Sequence, residues 1–343
     1  MPKQDLKILV AGPGAIGGIM AAFLAKDGWD VRVLGRNPAH IAKIRSDGLH
    51  VYGLGGEFRT EVPAFASFRE VPGPMDIIFL ATKVTAFPEI VHALKPLLKV
   101  GSSVVSLQNG ICEDMIAAIV GEPATVGCVV GWGATMHAPG EYEMTSKGDF
   151  VIGRLDGRTD ERLRTIQTML ETIHPTRVSA NIMGHLYAKL VINSCITTLG
   201  AICGIKLGRL LAVKKIRSIF IGIVREAMAV AGAMNLKVER LAGLDFKSFL
   251  KGDGLAAGLK RHALIRAIGL KYRRLKSSGL QSLERGERTE VEFLNAYIWK
   301  KGQEFGVPTP LNARLTTFLR DIETGRRAIG RANLDDPFFA NFR

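Results

Sequence analysis

LKILVAGPGAIGGIMAAFLAKDG, residues 6–28, decides the fold. An apolar, β-rich run reaches Gly12, and a run of helix-forming residues starts directly after it. Gly12, Gly14 and Gly17 fall in GxGxxG register at this strand-to-helix junction, the context that gives the pattern its meaning. Gly12 permits the tight turn, Gly14 lets the backbone approach a pyrophosphate, and Gly17 lets the helix pack close to the strand. The free amides of the first helical turn, from Ala15, Ile16 and Gly17, would meet the phosphate charge.

Outward from this unit, short β-rich runs alternate with amphipathic helices, the pattern of a parallel α/β sheet. DVRVLG follows the first helix, and the Gly-rich stretch from Gly48 to Glu61 reads as a hairpin excursion. MDIIFLATK reads as a buried strand with a lysine at its end, followed by a helix from Ala86 to Lys99. SSVVSLQNG, TVGCVVGWGATM and DFVIGRL read as further strands, with a turn at Pro139–Gly140 between the last two. From about Asn181 long 3.6-residue periods take over (Leu186–Ile202, Ile216–Met234, Glu290–Phe305) and strand patterns vanish. The expected organisation is a dinucleotide-binding α/β domain over residues 1–180, an all-helical domain over 181–325, and an irregular tail over 326–343.

Composition narrows the function classes. The 343 residues carry a formal charge of +14, and 47% of them are apolar. From residue 181 onward lie 28 of the 46 basic residues but only 13 of the 32 acidic ones, so the whole excess belongs to the second half. A solvated basic face is the ordinary reading; a field drawing an anionic substrate and a phosphorylated cofactor is the sharper one. No aromatic–basic interleaving points to nucleic acid. Cys112, Cys128, Cys195 and Cys203 lack CxxC or metal-ligand spacing, and the seven histidines form no ligand-spaced pair, so no metal site is expected. Reduced thiols, and an opening MPKQDLKILVAG without a signal-peptide pattern, point to a cytoplasmic protein. The uncharged run from Leu190 to Ile205 is short for a bilayer and contains Asn, Ser and Thr, so no membrane span is expected. No GxSxG or Ser–His–Asp pattern supports hydrolysis.

Three strand ends carry polar residues, where ligands of open α/β sheets bind. The second strand ends in Arg36, with no acid until Asp47. A carboxylate there would suit the ribose hydroxyls of NAD, whereas a guanidinium suits the 2′-phosphate of NADP, so NADPH is the expected cofactor. Lys83 and Asn109 close the next two strands and are expected near the nicotinamide ribose or the substrate.

In the second half, LYAKLVINSCITTLGAICGI places Lys189, Asn193 and Thr197 four residues apart, hence on one face of an apolar helix. Burying such a ladder is costly unless each group finds a partner or a substrate. Reducing a ketone puts negative charge on oxygen, so a cation able to donate a proton lowers the barrier twice. A lysine with a pKa of about 10.4 starts protonated near neutral pH.

These pieces together resemble the ketopantoate reductase (2-dehydropantoate 2-reductase) family over nearly the whole chain. The matching motifs are GPGAIGG, the lysine of ATKVTAF, QNGI at 108–111, KLVIN, and SSGLQSLERGERTEVEFLNAYI at 277–298. The resemblance implies a Rossmann-type domain followed by a helical domain like the C-terminal domain of 6-phosphogluconate dehydrogenase. It implies NADPH-dependent reduction of a 2-oxoacid to a D-2-hydroxy acid, with ketopantoate giving (R)-pantoate in pantothenate and coenzyme A biosynthesis. Lys189 would then be the general acid, Asn193 and Ser278 would bind the substrate, and Glu290 would position Lys189 or a substrate hydroxyl. Asn109 and Lys83 would lie around the nicotinamide and the reacting centre. One departure stands out: Thr197 replaces a second Asn of the family's helix, which leaves the substrate's identity open, and a pocket lined partly by Lys and Arg of the basic segment from Val238 to Lys276 would suit a larger or more acidic 2-oxoacid. An NADP-binding redox sensor docking an acidic partner is the alternative from another class. Helical second domains of this kind supply dimer contacts in other enzymes, and the residues leave a homodimer open.

Overall fold

The computed structural model describes residues 3–84 and 89–342, which divide into two compact units. The first holds residues up to Gln108 together with Cys112–Met183, and the second holds Asn109–Ile111 and Gly184–Arg343.

In the first unit, β1 (Lys7–Ala11), α1 (Ala15–Lys26), β2 (Asp30–Leu34) and α2 (Pro38–Asp47) come first. β3 (Leu49–Gly53) and β4 (Phe58–Thr60) form the hairpin expected from the glycines. Then follow β5 (Ala64–Phe65), β6 (Met75–Leu80), α3 (Glu89–Leu94), β7 (Leu98–Ser106), α4 (Glu113–Val120) and β8 (Thr125–Val130). The unit closes with β9 (Gly133–Ala138), β10 (Glu141–Ser146), β11 (Phe150–Arg154), α5 (Glu161–Glu171) and β12 (Thr176–Val178).

These strands build an eight-stranded sheet in the order β12-β11-β8-β7-β6-β1-β2-β5, and a four-stranded sheet in the order β4-β3-β10-β9. Within the larger sheet, the parallel series β5-β2-β1-β6-β7-β8 reproduces the strand order of a dinucleotide-binding Rossmann sheet, with its switch point between β1 and β6. All six residues of β6 are buried, as a central parallel strand covered on both faces requires. α1 packs against strands of both sheets, which is why apolar residues surround it instead of lining one stripe.

Three sequence expectations need correcting here. The helix placed at 86–99 ends at Leu94, and Leu98 already begins β7; residues 85–88 lie outside the described ones. The apolar pattern runs on through Leu97 and Leu98, so composition alone did not separate helix from strand. TVGCVVGWGATM is two strands in different sheets, β8 and β9, parted at Gly131 and Trp132. The Pro139–Gly140 turn joins β9 to β10, a strand not anticipated from its polar residues.

The second unit is helical: α6 (Ile182–Cys203), α7 (Leu207–Leu210), α8 (Lys214–Ala233), α9 (Phe246–Leu250), α10 (Leu255–Lys271), α11 (Ser278–Glu284), α12 (Asn295–Glu304) and α13 (Pro310–Glu323). α6 is long and apolar enough to cross a membrane by length and composition, yet 78% of its apolar window is buried inside the protein, as in the core helix of a globular domain. Ile216, Ile219, Phe220, Ile223, Val224, Ala227, Val230 and Ala231 give α8 its apolar stripe. The period expected to run as one helix over 290–305 breaks at Leu294, between a 3-10 turn over Val291–Phe293 and α12. The final residues form 3-10 turns at Arg331–Asp335 and Pro337–Phe339. They pack tightly: Phe339 is fully buried, with its ring edge-to-face on Phe318 at 5.7 Å.

Candidate active site

The glycine turn is built by close contacts that side chains would forbid. Gly12 has φ +102°, and a Cβ there would lie 2.7 Å from the Thr82 amide nitrogen. A Cβ on Gly17 would lie 2.1 Å from the Gly12 carbonyl oxygen. Gly14 is different: it N-caps α1 and nothing lies within 4 Å of the space its Cβ would take. The first turn of α1, from Ala15, Ile16 and Gly17, has no side-chain cap, so its amides stand ready for an anion. An open cradle beside uncapped amides fits a dinucleotide pyrophosphate.

Support for this turn comes from a residue that the sequence did not single out. The fully buried Tyr142 of β10 donates its hydroxyl to the Pro13 carbonyl at 3.0 Å, and His40 Nε2 lies 3.3 Å from the Tyr142 hydroxyl oxygen. Burial pushes the phenol well above its ordinary pKa. The ring fills the space beside Gly18, where a Cβ would sit 2.2 Å from it. Tyr142 and Met144 are the two buried positions of β10, and their alternation is the signal that would have revealed the strand.

At the strand ends, Arg36 is exposed two residues past β2 and makes no ion pair among the described residues. Its neighbour Asn37 is committed to capping α2, accepting from the amides of Ala39 and His40. Lys83 is exposed three residues beyond β6. Gln108 ties the loops after β6 and β7 together, its Nε2 donating to the Thr82 carbonyl at 2.8 Å while its Oε1 accepts from Cys112 Sγ at 3.1 Å. Next to Cys112, Glu113 is fully buried and its Oε1 has no hydrogen-bond partner. Burial pushes its carboxyl up to about 7, against the pull of neighbouring donors. The four cysteines are buried thiols outside any disulfide.

The second unit holds the polar ladder. Lys189, Asn193 and Thr197 all lie on α6, the first two half-buried and Thr197 5% exposed. Thr197 Oγ1 is 3.5 Å from the hydroxyl of Ser278, the exposed first residue of α11. Ser277 caps α11 through the Leu280 amide and also donates to the Thr197 carbonyl at 3.3 Å. The crossing is tight: a Cβ on Gly279 would come within 3.0 Å of Thr197 Cγ2, and one on Gly200 within 2.5 Å of Ser277 Oγ. Asn109, which groups with this unit, donates from Nδ2 to Glu290 Oε2 at 3.2 Å. Glu290 is half-buried and precedes the 3-10 turn at 291–293.

On another side of α6, Thr198 donates to Asn295 Oδ1, and Asn295 Nδ2 donates to the Ser194 carbonyl and to Asn312 Oδ1 at 3.2 and 2.9 Å. Asn312 Nδ2 continues to Glu226 Oε2 at 2.7 Å. Thr198, Asn295 and Asn312 are fully buried, and this chain fixes α6, α8, α12 and α13 to one another. No local pattern signals it, because lone amides on apolar helices look the same whether buried or exposed.

A Rossmann sheet with a glycine turn, followed by a helical unit whose central helix carries a lysine–amide stripe, defines a two-domain dinucleotide-binding oxidoreductase. Within that class, the chain belongs to the ketopantoate reductase PanE/ApbA family: the family's model matches residues 8–157, and its C-terminal model matches residues 181–323. The 2-dehydropantoate 2-reductase of Pyrococcus horikoshii is 29% identical over 322 residues, covering 93% of this chain and 98% of that protein. The crystal structure of a PanE/ApbA family ketopantoate reductase from Ralstonia eutropha JMP134 superposes with a TM-score of 0.80 at 26% identity, over 94% of this chain and all of that one. A D-mandelate dehydrogenase with NADH and anilino(oxo)acetate shares the fold, with a TM-score of 0.79 at 23% identity over 93% of this chain and 99% of that one.

Proposed function

We propose that this protein reduces a 2-oxoacid to the corresponding D-2-hydroxy acid with NADPH, ketopantoate being the leading substrate. The observation that carries this reading is the Lys189–Asn193–Thr197 stripe on α6, accompanied in the same unit by Glu290 in the grip of Asn109. Gly12, Gly14, Ala15, Ile16 and Gly17 would hold the dinucleotide pyrophosphate and Arg36 its 2′-phosphate. Bound there, the dinucleotide supplies the hydride.

The chain's own groups handle the proton and the carboxylate. Lys189 gives its ammonium proton to the carbonyl oxygen as negative charge develops on it. Asn193 orients the oxoacid by hydrogen bonding, and the Ser278 hydroxyl, with Thr197 beside it, binds the carboxylate. Glu290, held by Asn109, keeps a negative charge available to stabilise the protonated lysine. Lys83 contributes positive charge near the cofactor.

A second reading keeps the reaction type and changes the substrate. The D-mandelate dehydrogenase relative and the buried Thr197 both favour it, because a threonine pinned beside Gly279 reaches less far than an amide. One experiment separates the readings: NADPH consumption with ketopantoate and with a panel of 2-oxoacids, comparing wild type with Lys189→Ala. Turnover of ketopantoate above all others, lost in the variant with NADPH binding intact, supports the first. A higher kcat/KM for another oxoacid supports the second. Unchanged turnover in Lys189→Ala overturns the assignment of the proton donor.

A further inference from the structure

The helical unit contains a cavity of about 310 Å³, lined by Ser218 and Arg225 of α8, Gly258, Arg261 and His262 of α10, and Phe342. None of the ladder residues lines it, and neither Asp nor Glu is among its described lining residues. The positive charge of the second half of the sequence is thus partly gathered here, away from Ser278 and Thr197.

Three features of this cavity suit an anion. Arg261 is only 5% exposed, and its Nη1 is anchored on the carbonyls of Leu250, Lys251 and Gly252 at 3.3, 3.5 and 2.9 Å. Its Nε–H is buried and meets no acceptor, an expensive state for part of a cation. His262 Nδ1 lies 3.3 Å from Arg217 Nε. A guanidinium has no lone pair to offer, so Nδ1 accepts and the neutral ring carries its proton on Nε2 as a donor. Burial, then the charges of Arg217, Lys214 and Arg261, hold that ring below its ordinary pKa, so the groups facing it create a positive field. Lastly, Gly258 sits inside α10, where glycine weakens a helix, yet nothing lies within 4 Å of the space its Cβ would occupy. No packing neighbour demands a glycine there, and the residue lines the cavity.

We propose that this cavity binds a phosphate-bearing small molecule, held by Arg225 at the rim and by Arg261 and the Nε2–H of His262 inside. Forked guanidinium donors match the several oxygens of a phosphoryl group, and their fixed geometry favours it over a single carboxylate. The volume reaches the lower range of small-molecule sites, so an organic phosphate fits as well as the inorganic ion.

Inorganic phosphate is the probe, titrated into the full-length protein saturated with NADPH so that the glycine turn is already filled. The His262 ring is followed by NMR and assigned with His262→Asn. An anion beside the ring favours its charged form, so its pKa is expected to rise by about one unit. Calorimetric affinity for phosphate is expected to fall at least tenfold in Arg225→Gln, which removes an exposed charge, and in Gly258→Leu, which fills the cavity floor with a good helix former. NADPH affinity stays at the wild-type value in both. A His262 titration unmoved by tens of millimolar phosphate overturns the proposal, and so does phosphate binding that is equal in wild type and both variants.

Discussion

Tyr142 holds Pro13: a phenol on the second sheet donates to the carbonyl between the first two glycines of the turn, at 3.0 Å. The glycine signature is therefore supported by a residue more than a hundred positions downstream. The inserted strands have a direct structural task, to fix the backbone of the glycine turn.

Replacing Tyr142 by Phe keeps the ring against Gly18 and removes only the hydroxyl. The Pro13 carbonyl is left unpaired, which costs about 1 kcal/mol of stability. NADPH affinity, read by fluorescence titration, is expected to weaken by about 3- to 10-fold, with kcat for the preferred oxoacid nearly unchanged. A wild-type Kd in Tyr142→Phe would show that the turn holds itself.

Arg36→Asp reverses the charge at the end of β2, where Asn37 is occupied by its capping role. Hydrogen bonds to charged groups contribute about 1.5–3 kcal/mol, so kcat/KM with NADPH is expected to fall by about 10- to 100-fold. The value with NADH should hold or rise, because a carboxylate accepts from ribose hydroxyls. Initial rates with both cofactors measure the switch, and an unchanged ratio would remove Arg36 from the cofactor site.

Thr197→Asn restores the family's second amide but must be inserted where α6 and the start of α11 nearly touch. Overpacking of this kind costs about 1–3 kcal/mol. Chemical denaturation should show that loss, and kcat/KM for ketopantoate should not improve. A stable variant with a clearly better ketopantoate rate would mean that Thr197 had been tuned for another substrate.

Glu113 makes stability depend on pH. Its carboxyl titrates at about 7 in the fold against 4.5 ordinarily, so between those values the native state keeps a proton that the unfolded chain has released. The stabilisation is fully present below about 4.5 and is lost as pH rises through 7, a change of about 3 kcal/mol. Urea unfolding of wild type and Glu113→Gln should therefore diverge, the variant gaining relative to wild type from pH 5 to pH 8. Parallel curves would mean that the buried acid is compensated.

The parts legible from the sequence are those governed by local rules. The glycine turn, the 48–61 hairpin and the spacing of Lys189, Asn193 and Thr197 follow from backbone freedom and helical period alone. What escaped reading depends on partners far along the chain. Nothing local tells β8 from β9, because sheet membership is decided by pairing. Tyr142 reads as one aromatic in a polar strand until Pro13 is placed against it. The overrun of the 86–99 helix has a simpler cause: apolar residues serve a helix end and a buried strand equally well. Asn295 and Asn312 were silent because an amide's value lies in what it faces.

Those two amides carry a consequence for how the helical unit comes into being. Asn312 meets Glu226 across 86 residues of chain, and Asn295 meets Thr198 across 97. Until α13 has emerged from the ribosome, Glu226 of α8 lacks the Leu311 and Asn312 donors it meets in the fold and Asn295 of α12 lacks the Asn312 acceptor, so a hydrophobic collapse of α6, α8 and α12 alone would bury both incompletely paired. The unit is therefore closed last by its own end, as an arch by its keystone, and a nascent chain or proteolytic fragment stopping short of α13 would remain a substrate for chaperones and proteases.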